Sequence, residues 1–203
     1  MEENFLEIKD LERAKKLLEN IPNGVERAAT RAINKSIITL KKDLKKEVTK
    51  NYGIKSTDVE KSLSTKKATF TALNGVIKSK SRVISMYKFF KSQTQKNITV
   101  LIKRSEGRKK VKGKTNLNGA PFIARMSNGH HGIFQRNNKV RKVQGKNKMY
   151  STQGLTQLNT LSIPQMLGSN SVMEYIRSNG AEKILEKNFD NEVDKILEGY
   201  YKK

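Results

Sequence analysis

Between Val25 and Val48 the chain spaces small and apolar residues three and four apart, at Val25, Ala28, Ala29, Ala32, Ile33, Ser36, Ile37, Leu40, Leu44 and Val48. Steps of that size return to one side of an α-helix, so the stretch predicts a long amphipathic helix that must bury one face. Pro22 and Asn23 suit its first turn. Asn51-Tyr52-Gly53 supplies a stop, because glycine takes the left-handed geometry of a helix C-cap without steric cost. A shorter helix over residues 6–19 precedes it, and the capping-box spacing of Thr57 and Glu60 predicts one or two turns over residues 58–63. Core packing accounts for all three.

Beyond Leu63 the period changes. The segment ATFTALNGVIKSKS, from Ala68, sets Asn74-Gly75 between two β-prone runs, and both residues tolerate the positive φ of a tight turn, so a hairpin over 68–79 is expected. NITVLIKR, from Asn97, alternates Ile98, Val100 and Ile102 with Thr99, Leu101 and Lys103, which gives a strand with one apolar face. APFIARM and GIFQR read as a strand pair around a glycine turn that holds His130 and His131 at its crest. Pro164 opens a short turn, SIPQML. Val172, Tyr175, Ile176, Ile184, Leu185, Phe189, Val193, Ile196 and Leu197 then keep helical spacing on either side of Asn179-Gly180, and Tyr200 and Tyr201 read as a frayed end.

Four or five strands between helical ends make the fold class α+β. The expected organisation is one domain over residues 1–203. It has an N-terminal helical arm (about 6–50), a sheet region (about 67–136), basic loops (105–119 and 137–154) and C-terminal helices (164–199).

Charge is distributed unevenly. From Lys61 to Met173 the only acid is Glu106 against 23 lysines and arginines, so +22 of the chain's net +23 lies there and the ends are nearly neutral. Such a body implies an anionic partner or a charged lumen. The cations concentrate in the two expected loops: Arg108, Lys109, Lys110, Lys112 and Lys114 in one, Lys139, Arg141, Lys142, Lys146 and Lys148 in the other. Neither loop holds enough apolar residues to order itself alone.

Several chemistries lack their residues. The absence of cysteine removes disulfides, thiolate catalysis and cysteine–zinc sites, leaving His130 and His131 as the only nitrogen ligands for a transition metal. A nuclease built on HHGIFQRNN, with His131, Asn137 and Asn138, would need a carboxylate or a further histidine, yet the nearest acids along the chain are Glu106 and Glu174. No GxSxG elbow, Walker motif or dinucleotide fingerprint occurs. No enzyme, metal or cofactor is expected. No apolar run approaches the roughly 20 residues of a membrane helix, and MEENFLEIKD lacks the parts of a signal peptide, so a cytoplasmic protein without membrane contact is expected. A free DNA- or RNA-binding protein is the competing reading of the charge. Against it, most of Phe70, Tyr87, Phe89, Phe90, Phe122, Phe134 and Tyr150 fall where a core would use them, and no basic recognition helix stands out.

In order along the chain come a helix with RAINKS, the basic stretch ATFTALNGVIKS, SMYKFF, GAPFIARMSNGHHGIFQR, and LSIPQML before a terminal helix. Together they resemble the prophage minor tail protein Z family of tail-completion proteins, over about Arg31 to Leu197. The clearest block carries the family's aromatic strand, glycine turn and strand ending in Phe-x-Arg, at Phe122, Gly129, Gly132, Phe134 and Arg136 here. Residues 104–118 and the stretch around Lys146 carry no part of the resemblance. It implies a structural protein at the head-proximal end of a phage tail or of a headless, bacteriocin-type particle, contractile or flexible. There it would form a ring, sixfold by the symmetry of such tails, as a tail-completion, terminator or collar component. The implied partners are further copies of itself, tube, sheath or neck proteins, and DNA or a tape-measure protein in the lumen. The implied location is the bacterial host cytoplasm during assembly and then the virion. Arg125 and Arg136, on the paired strands, are candidates for bonds between subunits.

Overall fold

The computed structural model describes residues 11–94, 97–144, 149–178 and 180–201. The elements are, in order, α1 (Leu11–Leu17), α2 (Gly24–Asn51), α3 (Ser56–Ser62), β1 (Leu63–Lys66), β2 (Val76–Ser79), β3 (Val83–Ser85), β4 (Phe90–Gln93), β5 (Ile98–Val100) and β6 (Lys109–Lys110). There follow β7 (Asn118–Arg125), β8 (His131–Gln144), β9 (Met149–Gln157), β10 (Asn159–Ser162), α4 (Ile163–Leu167), α5 (Asn170–Ser178) and α6 (Ala181–Tyr201). The class is α+β, as the sequence predicts. Ten strands among the described residues, in four small antiparallel sheets, replace the expected four or five. Most run only two to four residues, and strands that short are defined by partners rather than by period.

Two compact units emerge, one from residues 1–48, 56–80 and 167–203, the other from 49–55 and 81–166. In the first, the stripe on α2 is buried as its spacing requires. Ala28, Ala29 and Ala32 pack with Ala14 and Leu18 near α1 and with Leu185, Phe189, Val193 and Ile196 of α6. Small side chains on α2 let the other helices approach closely, while Phe189 fills the space they leave. Ser36 completes the seam, donating to the Ala32 carbonyl at 2.8 Å and accepting from Asn188 Nδ2 at 2.9 Å. The α5–α6 break falls at Gly180, whose φ of +75° is the left-handed geometry glycine favours. Helix α6 runs to Tyr201.

Several local expectations are also corrected. Of the helix over 6–19, the described part is Leu11–Leu17; residues 6–10 lie outside the described residues. α3 begins at Ser56, so Thr57 sits inside the first turn rather than capping it. The hairpin pairs β2 with Leu63–Lys66, Leu63 opposite Ser79, and not with the run after Ala68. Neither Asn74 nor Gly75 has positive φ. Gly75 passes α2 instead, where a Cβ would come within 2.2 Å of Ile37 Cδ1.

In the second unit, Gly53 ends α2 by the same kind of close approach and not by left-handed geometry. A Cβ there would lie 2.1 Å from the Leu101 carbonyl oxygen, and the Gly53 N–H donates to Ile102 O at 2.9 Å. Tyr52 forms a β-bridge with Lys103. Phe89, Ile98, Val100, Val111, Ile133 and Leu158 are buried among the small sheets β10-β3, β4-β5-β6 and β7-β8-β9.

Candidate functional site

The β7–β8 hairpin holds the motif residues. Its turn closes through Met126 N–H to His130 O (2.8 Å) and Gly129 N–H to Met126 O (2.9 Å), with Gly129 at φ +81°. Asn128 Oδ1 accepts from the His130 N–H at 3.0 Å, which is why Ser-Asn-Gly makes a turn here. Phe122 lies opposite Phe134, Ala124 opposite Gly132 and Arg125 opposite His131. Gly132 is therefore a strand residue and not part of the crest; a Cβ on it would lie 2.7 Å from the Phe134 ring. Phe134 is 6% exposed. The Arg136 guanidinium sits 5.5 Å from the Phe122 ring centroid, a cation–π contact that ties together two motif positions.

The histidines engage different neighbours. His130 Nε2 is 3.2 Å from Gln157 Oε1 and its ring meets Phe134 edge-on, whereas His131 stacks on Tyr87 at 5.7 Å. Tyr87 in turn stacks on Phe90 at 5.8 Å. Among the described residues no group of three histidines, cysteines or carboxylates stands ready to hold a metal.

The two basic segments fold differently from each other. Residues 105–119 remain mostly loop, yet ordered: β6 pairs with β5, setting Lys110 opposite Thr99 and Lys109 opposite Val100, and Val111 is buried. Sequence reading missed the residue that secures the rest. Gln135, buried on β8, accepts from the Lys114 N–H at 2.8 Å and donates to the Gly119 carbonyl at 2.9 Å. A lone glutamine at an apolar strand position was its only signal. Residues 137–144 and 149–154 are not loop: β8 and β9 run on as a two-stranded ribbon, Val140 opposite Gln153 and Lys142 opposite Ser151, and residues 145–148 lie outside the described residues. Backbone pairing satisfies a strand without a core, which composition does not reveal.

Arg108, Lys109, Lys110, Lys112, Lys114, Lys139 and Lys142 are exposed. Arg141 lies on β8; Lys146 and Lys148 lie outside the described residues. Lys139 and Lys142 stand four and seven residues beyond Gln135 along β8. At strand rise that places them roughly 13 and 23 Å further on. The single acid of this region is occupied. Glu106 accepts from Lys109 and lies 3.1 Å from Lys103 Nζ. Hydrogen bonds from Lys109 and Lys103 hold the Glu106 carboxyl below its ordinary pKa, and Glu106 raises that of Lys103. Among the described residues Arg108, Lys110, Lys112, Lys114, Lys139 and Lys142 meet no carboxylate.

Exposed cations on described backbone thus share a unit with a hairpin whose His131 stacks on Tyr87. The chain belongs to the prophage minor tail protein Z family, whose model matches residues 8–203, and it is a structural protein of a phage tail. Comparison with curated proteins and with solved structures gave no match. No helix among the described residues is long and apolar enough to cross a membrane.

Proposed function

We propose that this tail protein closes the head-proximal end of the tail tube as a ring of six copies, assembled in the host cytoplasm. There it completes or terminates the tube, or joins it to the neck. The observation that carries this reading is the cationic surface at Arg108, Lys110, Lys112, Lys114, Lys139 and Lys142, which meets no carboxylate among the described residues. Facing a lumen, such a surface meets DNA or the end of a tape-measure protein; facing outward, it meets acidic tube, sheath or neck proteins. Lys146 and Lys148 extend the same charge along the sequence. Arg125, exposed at the end of β7, is free to bond between subunits, while Arg136 is engaged with Phe122. The protein acts by binding, without catalysis or a cofactor.

The test neutralises Lys109, Lys110, Lys112, Lys139, Arg141 and Lys142 together. Tails made with this variant are imaged by electron microscopy, and binding of the purified wild type to duplex DNA is titrated with salt. The expected result is weak, sequence-indifferent DNA binding at physiological salt, with incomplete tails from the variant. Free nucleic-acid binding predicts tight, selective binding instead, with a log–log salt slope of about −0.9 per phosphate contact. Tight selective binding together with normal tails overturns the ring reading.

A further inference from the structure

The sheet β7-β8-β9 has two edges, and the chain guards only one of them. Lysine, proline and bulges are the usual means of keeping a foreign strand off a sheet edge. The β7 edge carries Pro121, which has no N–H to offer, and its own backbone is irregular: four steps from Asn118 to Phe122 match two from Arg136 to Phe134. β9 has neither device. Its sequence, MYSTQGLTQ, contains no proline, and the irregularity beside it lies in β8, where four steps from Arg136 to Val140 match two from Leu155 to Gln153. It has no charge either. Residues 149–173 include no charged side chain, although 30% of the whole chain is charged.

Among the described residues β9 pairs with β8 alone, and no backbone bond joins 149–156 to any other element. Outward N–H and C=O groups along this strand are therefore a template for a further strand. Met149 is 55% exposed and Leu155 39%, and an even spacing puts them on one face.

We infer that the β9 edges of two copies pair with each other, antiparallel, in the register centred on Thr152. That register sets Met149 of each copy opposite the partner's Leu155, so the exposed apolar side chains of the edge cover one another. Charge selects a second copy as the occupant. Copies carrying +23 each repel, and they meet at least cost through a surface without charge. The β8 cations that stand opposite β9 are Arg136, Arg141 and Lys142, facing Leu155, Thr152 and Ser151. Across the junction Arg136 lies in line with the partner's Gln144 and Lys142 with the partner's Val140. Only Arg141 lies in line with its counterpart, three strand spacings or about 14 Å away, beyond a Debye length of about 8 Å. The contact is isologous and joins copies in twos, whereas a ring closes through head-to-tail contacts. It belongs to copies not yet in a tail, where it shields an edge that otherwise invites aggregation, and it stands independently of the ring reading.

The chain has no cysteine, so single substitutions in the full-length protein report the register. Thr152→Cys is expected to cross-link to itself under oxidised glutathione, since paired Cα atoms about 4.5–5.5 Å apart lie within disulfide reach. Met149→Cys and Leu155→Cys should each stay unlinked alone, their two copies being about 20 Å apart along the strands, and should cross-link when mixed. Wild type should sediment as a dimer at micromolar concentration, and Ser151→Lys, at an exposed position of β9, should weaken that dimer at least about tenfold. Should Thr152→Cys lose its fold, the mixed pair at exposed positions gives the same reading. A monomeric wild type, no cross-link from the mixed pair, or Met149→Cys linking alone as fast as Thr152→Cys overturns the β9 pairing. A dimer that Ser151→Lys leaves intact overturns it as well.

Discussion

Replacing Glu192 by glutamine tests how the helical unit holds a buried charge. The Glu192 side chain is 3% exposed, accepts from Lys35, and lies 3.4 Å from Lys195 Nζ and 3.8 Å from Arg31 Nη1. Burial pushes its carboxyl up, but the Lys35 hydrogen bond and charge, helped by Lys195, outweigh that and hold it below the ordinary glutamate value. The lysines are half exposed, so solvent screening limits the ion pairs to about 0.2–1 kcal/mol each. Glutamine keeps the shape but turns an amide N–H₂ toward three cations, and an unsatisfied buried donor costs about 1–3 kcal/mol. The three pairs and the orphaned donor sum to about 1.6–6 kcal/mol, and about 3 kcal/mol, near the middle of that range, lowers a urea midpoint by roughly 1 M. Because the folded-state pKa is depressed, the contribution of Glu192 is fully present above the unfolded value of about 4.3 and is lost as pH falls through the folded one. The difference between wild type and Glu192→Gln should therefore be largest near neutrality and shrink below that point. Equal midpoints at pH 7, or a gap that stays constant down to pH 3, would refute the reasoning.

Phe134→Ala removes a buried ring from the β7–β8 hairpin and should cost about 3–5 kcal/mol, read as a fall in melting temperature. An unchanged melting temperature would show that this burial contributes nothing. His130→Ala with His131→Ala loses an edge contact to Phe134 and a stack on Tyr87, for about 1–3 kcal/mol in all. Tails should still form, and a folded double variant that makes none would mean the pair has an assembly or ligand role. Gln135→Leu frees the backbone around Lys114 and Gly119, so amide exchange over 114–119 should quicken at least about tenfold while Ile98 and Val100 stay protected. Uniform acceleration across the unit would show that Gln135 supports the core and not the segment.

Much of the site was legible because its signals are local. The α2 stripe, the break at Gly180 and the β7–β8 pair with Phe122 across from Phe134 depend on residues close in sequence, whose period or turn chemistry names the conformation. Where partners are distant, local chemistry misled. Asn74-Gly75 has the composition of a tight turn, yet the strand pairing that wins is Leu63–Lys66 with β2, while Gly75 is needed for its passage over Ile37. Gly53 likewise owes its place to the Leu101 carbonyl and not to its own φ.

By itself the sequence determined the charge: its size, its confinement to the middle of the chain and the lack of any acid there but Glu106. It also determined the helical frame, since amphipathic period is written residue by residue. Only the tertiary structure decided that residues 137–144 pair with 149–154 as a ribbon, that Gln135 anchors the other basic segment, and that Glu192 is buried among Arg31, Lys35 and Lys195. Charge and period are sums over neighbouring residues. A strand's pairing and a polar side chain's burial depend on which distant atoms arrive to satisfy them, and that is settled only when the chain has folded.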